Sequence, residues 1–275
     1  RRRPGDVELE PVMTGGMDNP VDVVFTPEGE RIFTATFLEH PQAGRRDAVV
    51  HAIYGGVYGK PHAVIDGHKR TGDLMPVMRQ LGPDVPAGLT RYQSRVFGDA
   101  YRNNLFAALF NVRKVARYIL EPNGATFDAR DSDFVVSNSR DFHPTDVLED
   151  ADGSLLVVDT GPWYKLCCPS SQLAKPEVFG AIYRVRRRGA TVVRDPRGLK
   201  LGWDRMTSSD LAKLMDDPRP AVVERALRRF ATLGSAAVAP LAATLKSAKS
   251  VDARRNAVWA LTRIHTMDAR SAVRA

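Results

Sequence analysis

Residues 19–36 read NPVDVVFTPEGERIFTAT, and residues 143–160 read HPTDVLEDADGSLLVVDT. A shift of 124 positions lays Pro20 on Pro144, Asp22 on Asp146, Val23 on Val147, Gly29 on Gly153 and Thr36 on Thr160. Each copy has the same internal order. A short apolar run (Val23-Val24-Phe25; Val147-Leu148) meets a turn signal, Pro27-Glu28-Gly29 or Ala151-Asp152-Gly153, and a second β-rich run follows, Ile32 to Phe37 or Leu155 to Val158. Two such runs around a glycine-bearing turn predict a β-hairpin.

Working outward, two more strand-like runs follow the first hairpin, Ala48 to Tyr54 and His62 to Ile65. A third unit sits between the copies, opened by Gly88-Leu89-Thr90 and continued by Asn104 to Phe110, Val115 to Leu120 and an outer strand Phe134-Val135-Val136. The offset of 124 is then two periods of 62. The last unit ends on Gly180-Ala181-Ile182-Tyr183-Arg184-Val185. Consecutive four-stranded units at a steady period predict blades of a β-propeller. About three blades are present, too few to close a ring, so the missing ones are expected upstream. A β-sandwich is the alternative.

From about residue 207 the periodicity changes. Val223, Ala226, Leu227 and Phe230 fall at helical spacing with Glu224, Arg225, Arg228 and Arg229 outside it, the pattern of an amphipathic helix. Asp217-Pro218-Arg219-Pro220 supplies its start and Gly234 its stop. Val238, Leu241, Ala242 and Leu245 repeat the spacing, and Ala253, Ala257, Leu261 and Ile264 do so again. Ala226 to Ala257 and Leu233 to Ile264 are both steps of 31 residues. This predicts paired helices of an α-solenoid of HEAT type, with a small helical bundle as the alternative. The expected fold is therefore multidomain, β then α: residues 1–190 a partial β-propeller, 191–206 a linker and 207–275 HEAT-like repeats.

At 275 residues and 43% hydrophobic, the chain can bury more than one core. No apolar run reaches the length of a membrane span. Arg1-Arg2-Arg3-Pro4 is neither a Met start nor a signal peptide, so the chain reads as an interior fragment. The net charge of +8 is spread along the chain without a recognition motif, so nucleic acid is not expected as a partner.

In a propeller, loops joining an outer strand to the next inner strand share a face with those joining the second and third strands. The strand assignment places 66–87 and 138–145 in the first set, and 38–47, 111–113 and 161–179 in the second. Three features stand out. Arg140-Asp141-Phe142-His143 runs into an inner strand; this histidine could serve as a general base or hold a cofactor acid, or simply bond the loop backbone. Trp163-Tyr164-Lys165-Leu166-Cys167-Cys168-Pro169 holds both cysteines of the chain. Adjacent cysteines form a strained ring disulfide that can cover a flat cofactor, or pack as reduced thiols. Finally, His51, Tyr54, Tyr58, Lys60 and His62 surround Gly55, Gly56 and Gly59, lining a sugar or acid site or else packing a strand, turn and strand. No metal-type spacing of cysteine and histidine occurs.

The run from Pro86-Ala87-Gly88-Leu89 through Asn103 to Phe106, Lys114 to Leu120, Asp146-Val147, Asp152-Gly153, Asp159-Thr160-Gly161 and Gly180 to Val185 resembles the closing blades of the soluble glucose/aldose sugar dehydrogenase family, over about residues 17–188. These are six-bladed propellers using pyrroloquinoline quinone (PQQ) and calcium. Together with HEAT-like repeats, the chain resembles large planctomycete-type membrane-bound dehydrogenases, which often end in a c-type haem domain; no CxxCH occurs here. The resemblance implies an exported or periplasmic oxidoreductase acting on a sugar or polyol. An ungapped placement puts His143 and Thr145 where two PQQ-holding arginines would stand, and Asn111 where a lysine would, with Arg113, Lys114 or Arg140 as substitutes. Two other readings stay open. One is a non-catalytic module recognising a glycan or protein, with the helical repeats as the docking surface. The other is a metal-dependent lactonase-type hydrolase.

Overall fold

The computed structural model describes residues 7–16, 19–36, 45–59, 63–67, 69–161, 164–165, 172–173, 175 and 177–274. Two compact units emerge. The first holds Arg1–Tyr92, Asp99–Asp150 and Ser154–Arg186, and the second Gln93–Gly98, Ala151–Gly153 and Arg187–Ala275.

In the first unit, β1 (Thr14–Gly16) precedes β2 (Asn19–Phe25), β3 (Arg31–Thr36), β4 (Asp47–His51), β5 (Val57–Gly59) and β6 (Arg79–Gly82). Strands β2, β3, β4 and β6 form an antiparallel sheet in that order, while β1 pairs with β5 in parallel. A second four-stranded antiparallel sheet follows in chain order: β7 (Pro86–Arg91), β8 (Leu105–Leu109), β9 (Lys114–Asn123) and β10 (Thr126–Val136). The third sheet has β11 (Pro144–Glu149), β12 (Leu155–Asp159) and β15 (Ala181–Val185), with the short pair β13 (Tyr164–Lys165) and β14 (Gln172–Leu173) between.

The repeat resolves at the first strand of each sheet. Pro20, Pro86 and Pro144 open a shared pattern in β2, β7 and β11, and each strand carries a register shift just after its proline. Proline cannot donate to a ladder, which suits it to strand starts and bulges. Two residues on stand Asp22, Gly88 and Asp146. Asp22 and Asp146 each accept a hydrogen bond from the next backbone N–H, at 2.8 and 2.7 Å. Asp22 also reaches the second sheet, where its other oxygen accepts from the Leu89 N–H at 3.0 Å. Gly88 is bare because Asp146 fills its place: a Cβ there would lie 2.0 Å from Asp146 Oδ1. Strand β7 packs between β2 and β11. First strands side by side, each followed by its own meander, are the sheet arrangement of propeller blades; no closed ring is present among the described residues.

Two details differ from the expectation. The fourth strand of the first sheet is β6, not His62–Ile65, because Ala63–Ile65 is a single 3₁₀ turn. Strand β4 stops at His51, and Gly55 and Gly59 turn the chain through positive φ. Gly59 allows β5 to lie against Gly16, whose backbone would be 2.9 Å from an added Cβ. The spacing of the blades is also uneven, 66 residues from Pro20 to Pro86 and 58 from Pro86 to Pro144.

The second unit contains α1 (Ser208–Lys213), α2 (Pro220–Leu233), α3 (Val238–Ser247), α4 (Val251–Thr262) and α5 (Met267–Arg274). Thr207 and Asp210 cap α1 reciprocally, Pro220 opens α2, Gly234 ends it at positive φ, and the Ser250 side chain caps α4. The step of 31 holds in packing: Val222 and Ala253, Ala226 and Ala257, and Phe230 and Leu261 are all buried in one core. Helices α2 and α4, one step of 31 apart, thus share a core with the shorter α1, α3 and α5, and the described helices form no extended solenoid. The stretch read as a linker contributes to this core through Trp203, whose Nε1 donates to the Gly198 carbonyl at 2.6 Å. No helix among the described residues is long and apolar enough to cross a membrane.

Candidate functional site

Strand direction sorts the loops of the first unit into two rims. Chain reversals at 83–85, 110–113 and 137–143, with the exit of β12 at Thr160, lie at one end of the sheets, and those at 26–30, 124–125 and 150–154, with the exit of β4 at Ala52, at the other. This divides the sequence candidates. Asn111, Arg113, Lys114, Arg140 and His143 belong to the first rim; His51, Tyr54 and Tyr58 belong to the second.

The first rim is knitted around Phe110. The Phe110 N–H donates to the Val85 carbonyl at 3.1 Å, and the Asn111 N–H to that of Asp84 at 3.2 Å. The Asn111 side chain donates to the Pro83 carbonyl at 3.1 Å. Val85 sits at φ 50°, an uncommon place for a β-branched residue. Its N–H is held by the buried Asp47 carboxylate at 2.7 Å. Arg113 also has positive φ, 55°, and its buried Nε finds no hydrogen-bond partner among the described residues.

His143 closes the rim from the third sheet. Its ring centroid lies 4.6 Å from that of Phe110, inclined at 36°. Its backbone N–H donates to Asp159 Oδ1 at 2.8 Å, and Nδ1 lies 3.0 Å from the Gly161 carbonyl oxygen. A carbonyl only accepts, so Nδ1 carries the hydrogen, and in the neutral ring the basic nitrogen is Nε2. The same Asp159 oxygen accepts from the Gly161 N–H at 2.8 Å, so one carboxylate fixes both ends of the histidine's seat. Lys114 pairs with Asp133 at 2.8 Å and Lys175 with Asp141 at 2.5 Å. Arg140 is exposed. Burial raises the pKa of Asp84; neighbouring Asp47 and Asp131 push the same way, against Lys114 and Arg46.

On the opposite rim the candidates are used structurally. His51 is buried, with Nε2 2.9 Å from Glu30 Oε2, Nδ1 3.0 Å from Thr126 Oγ1, and its ring against Phe127. Tyr58 is buried, donates to the His51 carbonyl, and accepts from the Ile53 N–H at 3.2 Å; burial raises its pKa. Tyr54 donates to Glu10 at 2.6 Å. Lys60, His62, Trp163, Cys167 and Cys168 lie outside the described residues.

Sequence reasoning did not single out Phe110, Asp84, Asp47 or Asp159. Asp159-Thr160-Gly161 carried a signal, since Thr160 belongs to the repeat. Phe110 read as the end of an apolar strand, with nothing to mark its rim position.

The family model described as "Domain of unknown function (DUF7133)" matches residues 82–189, which span the second and third sheets. No curated protein matches the chain. Among solved structures, it is similar to an oxidoreductase (glucose dehydrogenase) from Thermus thermophilus, at 19% identity and TM-score 0.38, over 56% of this chain and 42% of that one. It is also similar to a glucose dehydrogenase at 16% identity and TM-score 0.38, over 62% of this chain and 40% of that one. The chain thus spans about two fifths of each of those structures.

Proposed function

We propose that the rim around Phe110 and His143 binds a sugar or polyol, on a blade scaffold of the sugar-dehydrogenase-like kind, and that His143 accepts the proton of a bound hydroxyl during oxidation. One observation carries this reading: the His143 ring lies against an aromatic ring at an inclination of 36°, and because its Nδ1 donates to the Gly161 carbonyl, the basic nitrogen of the neutral ring is Nε2. An aromatic face beside hydrogen-bonding groups suits the mixed apolar and hydroxylated surface of a carbohydrate. Export to the periplasm belongs to the same reading.

Oxidation needs an electron acceptor, and PQQ is the one that the family resemblance implies. Its three carboxylates call for fixed cations. The described residues do not fit that need: Asn111 is spent on Pro83, Lys114 is paired with Asp133, and Asp84 and Asp47 stand close by. Arg113 and Arg140 are the cations left to serve it. No step is therefore derived through PQQ. No three His, Cys, Asp or Glu side chains converge among the described residues.

The second reading is a non-catalytic module for a glycan or protein, docked through the helical unit. The internal pairing of Asn111, Lys114 and Lys175 favours it, since rim groups bonded to one another build a rigid surface. Incubation with PQQ, calcium, a dye acceptor and a panel of sugars separates the two. Dye reduction that is lost in His143→Ala supports the oxidoreductase. Sugar binding without dye reduction supports the module. A chain that neither binds nor oxidises any sugar contradicts the carbohydrate assignment.

A further inference from the structure

The reversal between β8 and β9 ends on Arg113, a strained residue with an unmet charge. Among the described residues, Val85, Asn103, Arg113 and Asp195 are the non-glycine positions with positive φ. Such a backbone costs any residue that carries a Cβ, and three of the four are held in it by a bond to or from a side chain. The Val85 N–H donates to the Asp47 carboxylate at 2.7 Å. Asn103 Oδ1 accepts from Arg91 Nη1 at 2.8 Å, and the Asp195 carboxylate accepts from the N–H groups of Leu199 and Lys200 at 2.8 and 3.1 Å. Arg113, at φ 55°, has none. Its guanidinium makes no hydrogen bond or ion pair among the described residues, although its Nε is buried. Cations on either side are already engaged, Lys114 with Asp133, Lys175 with Asp141 and Arg46 with Asp47. A buried donor without an acceptor is costly, and strain together with an unmet charge is characteristic of a ligand clamp.

We propose that Arg113 sets the specificity of the rim by binding the carboxylate of an acidic sugar, a uronic or aldonic acid. The planar fork of a guanidinium matches the two oxygens of a carboxylate. Backbone bonds tie the residue to both partners of the candidate site. Its N–H donates to the Phe110 carbonyl at 3.4 Å, and its own carbonyl accepts from the Ser137 N–H at 3.1 Å, where the chain leaves β10 for His143. The surroundings select a single negative charge. The Asn111 N–H is bonded to the Asp84 carbonyl and the Val85 N–H to the Asp47 carboxylate, so two acidic residues stand across the reversal and repel a phosphate dianion more strongly than a carboxylate. The proposal rests on the carbohydrate reading of the rim and adds the charge of its ligand.

Calorimetric titration of the full chain with glucose and galactose, each beside its uronate, aldonate and 6-phosphate, tests it. An acid form should bind roughly 10–100-fold more tightly than its neutral parent, the worth of a charge-assisted pair. Arg113→Met should remove that advantage and leave the neutral sugar's affinity unchanged, while Arg113→Lys, a charge without the fork, restores only part of it. Arg188→Met, at an exposed position of the helical unit, leaves the advantage intact. Thermal unfolding adds a readout free of any ligand. Arg113→Gly relieves the strain and removes the unmet donor, and should raise the melting midpoint of the β unit by about 2–4 °C; a lower midpoint would make Arg113 a structural residue and overturn the proposal. Acid and neutral sugars bound equally, or an acid preference that survives Arg113→Met, overturns it and leaves the carbohydrate reading standing. So does tighter binding of the 6-phosphates, or binding of PQQ but no acidic sugar through Arg113. A chain that binds no sugar of either kind overturns both readings together.

Discussion

Gly198 illustrates how a single position constrains the helical unit. It sits at φ 63°, and a Cβ there would lie 2.8 Å from Val222 Cγ2 and 3.0 Å from Leu201 Cδ1. Gly198→Ala adds left-handed strain of about 1–2 kcal/mol to that crowding, and should lower the melting temperature of the unit; an unchanged melt would refute the packing. Nearby, Arg219 grips Asp217 with Nε at 2.8 Å and Nη2 at 2.7 Å, while its N–H adds a bond at 2.9 Å. Burial pushes the Asp217 pKa up, but the Arg219 bonds and charge outweigh it and leave the carboxyl below its ordinary value. A carboxylate depressed in the folded state adds stability above its unfolded pKa of about 3.9, and that stability is lost as pH falls through the folded value. Asp217→Asn should therefore cost about 1–3 kcal/mol at neutral pH and flatten the loss of stability below about pH 4; urea unfolding at the two pH values measures both. His51 makes the contrasting case. With both ring nitrogens bonded and its ring on Phe127, His51→Ala should destabilise the β unit by about 2 kcal/mol, while sugar binding at the Phe110 rim is unchanged. Sequence alone could not make that distinction, because a histidine followed by tyrosines and glycines reads the same at either end of a sheet.

At the scale of elements, legibility follows how locally each signal is encoded. The two hairpins of the 124-residue repeat read directly, because turn glycines and alternating apolar runs act over a few residues. The helices read nearly as well: Val222, Ala226 and Phe230 are buried together, and the stops at Gly234 and the cap at Ser250 are local chemistry. The fourth strand of the first sheet did not read. Arg79–Gly82 has no alternating apolar pattern, and only its ladder to β4 makes it a strand. The 191–206 segment failed for a related reason, as its turns resemble a linker until Trp203 is seen inside the helical core. Phe230 should be the keystone of that core. Phe230→Ala removes a fully buried ring at a cost of about 3–5 kcal/mol, and calorimetry should show the helical unit melting much earlier.

Across the whole molecule, the first strands of the sheets determine the architecture. Asp22 links β2 to β7, and Gly88 makes room for Asp146 of β11, so three distant segments pack side by side. The rim that holds His143 follows from that arrangement. The Asp22–Leu89 bond spans 67 residues and joins separate sheets, which makes it the sharpest probe of the arrangement. Amide hydrogen exchange on the full chain, compared with Asp22→Ala, reads it residue by residue. Fast exchange at Leu89 in the variant, with the amides of the β7–β8 ladder still protected, is the predicted outcome. An equally protected Leu89 in both proteins would mean that the first two sheets do not meet along their leading strands.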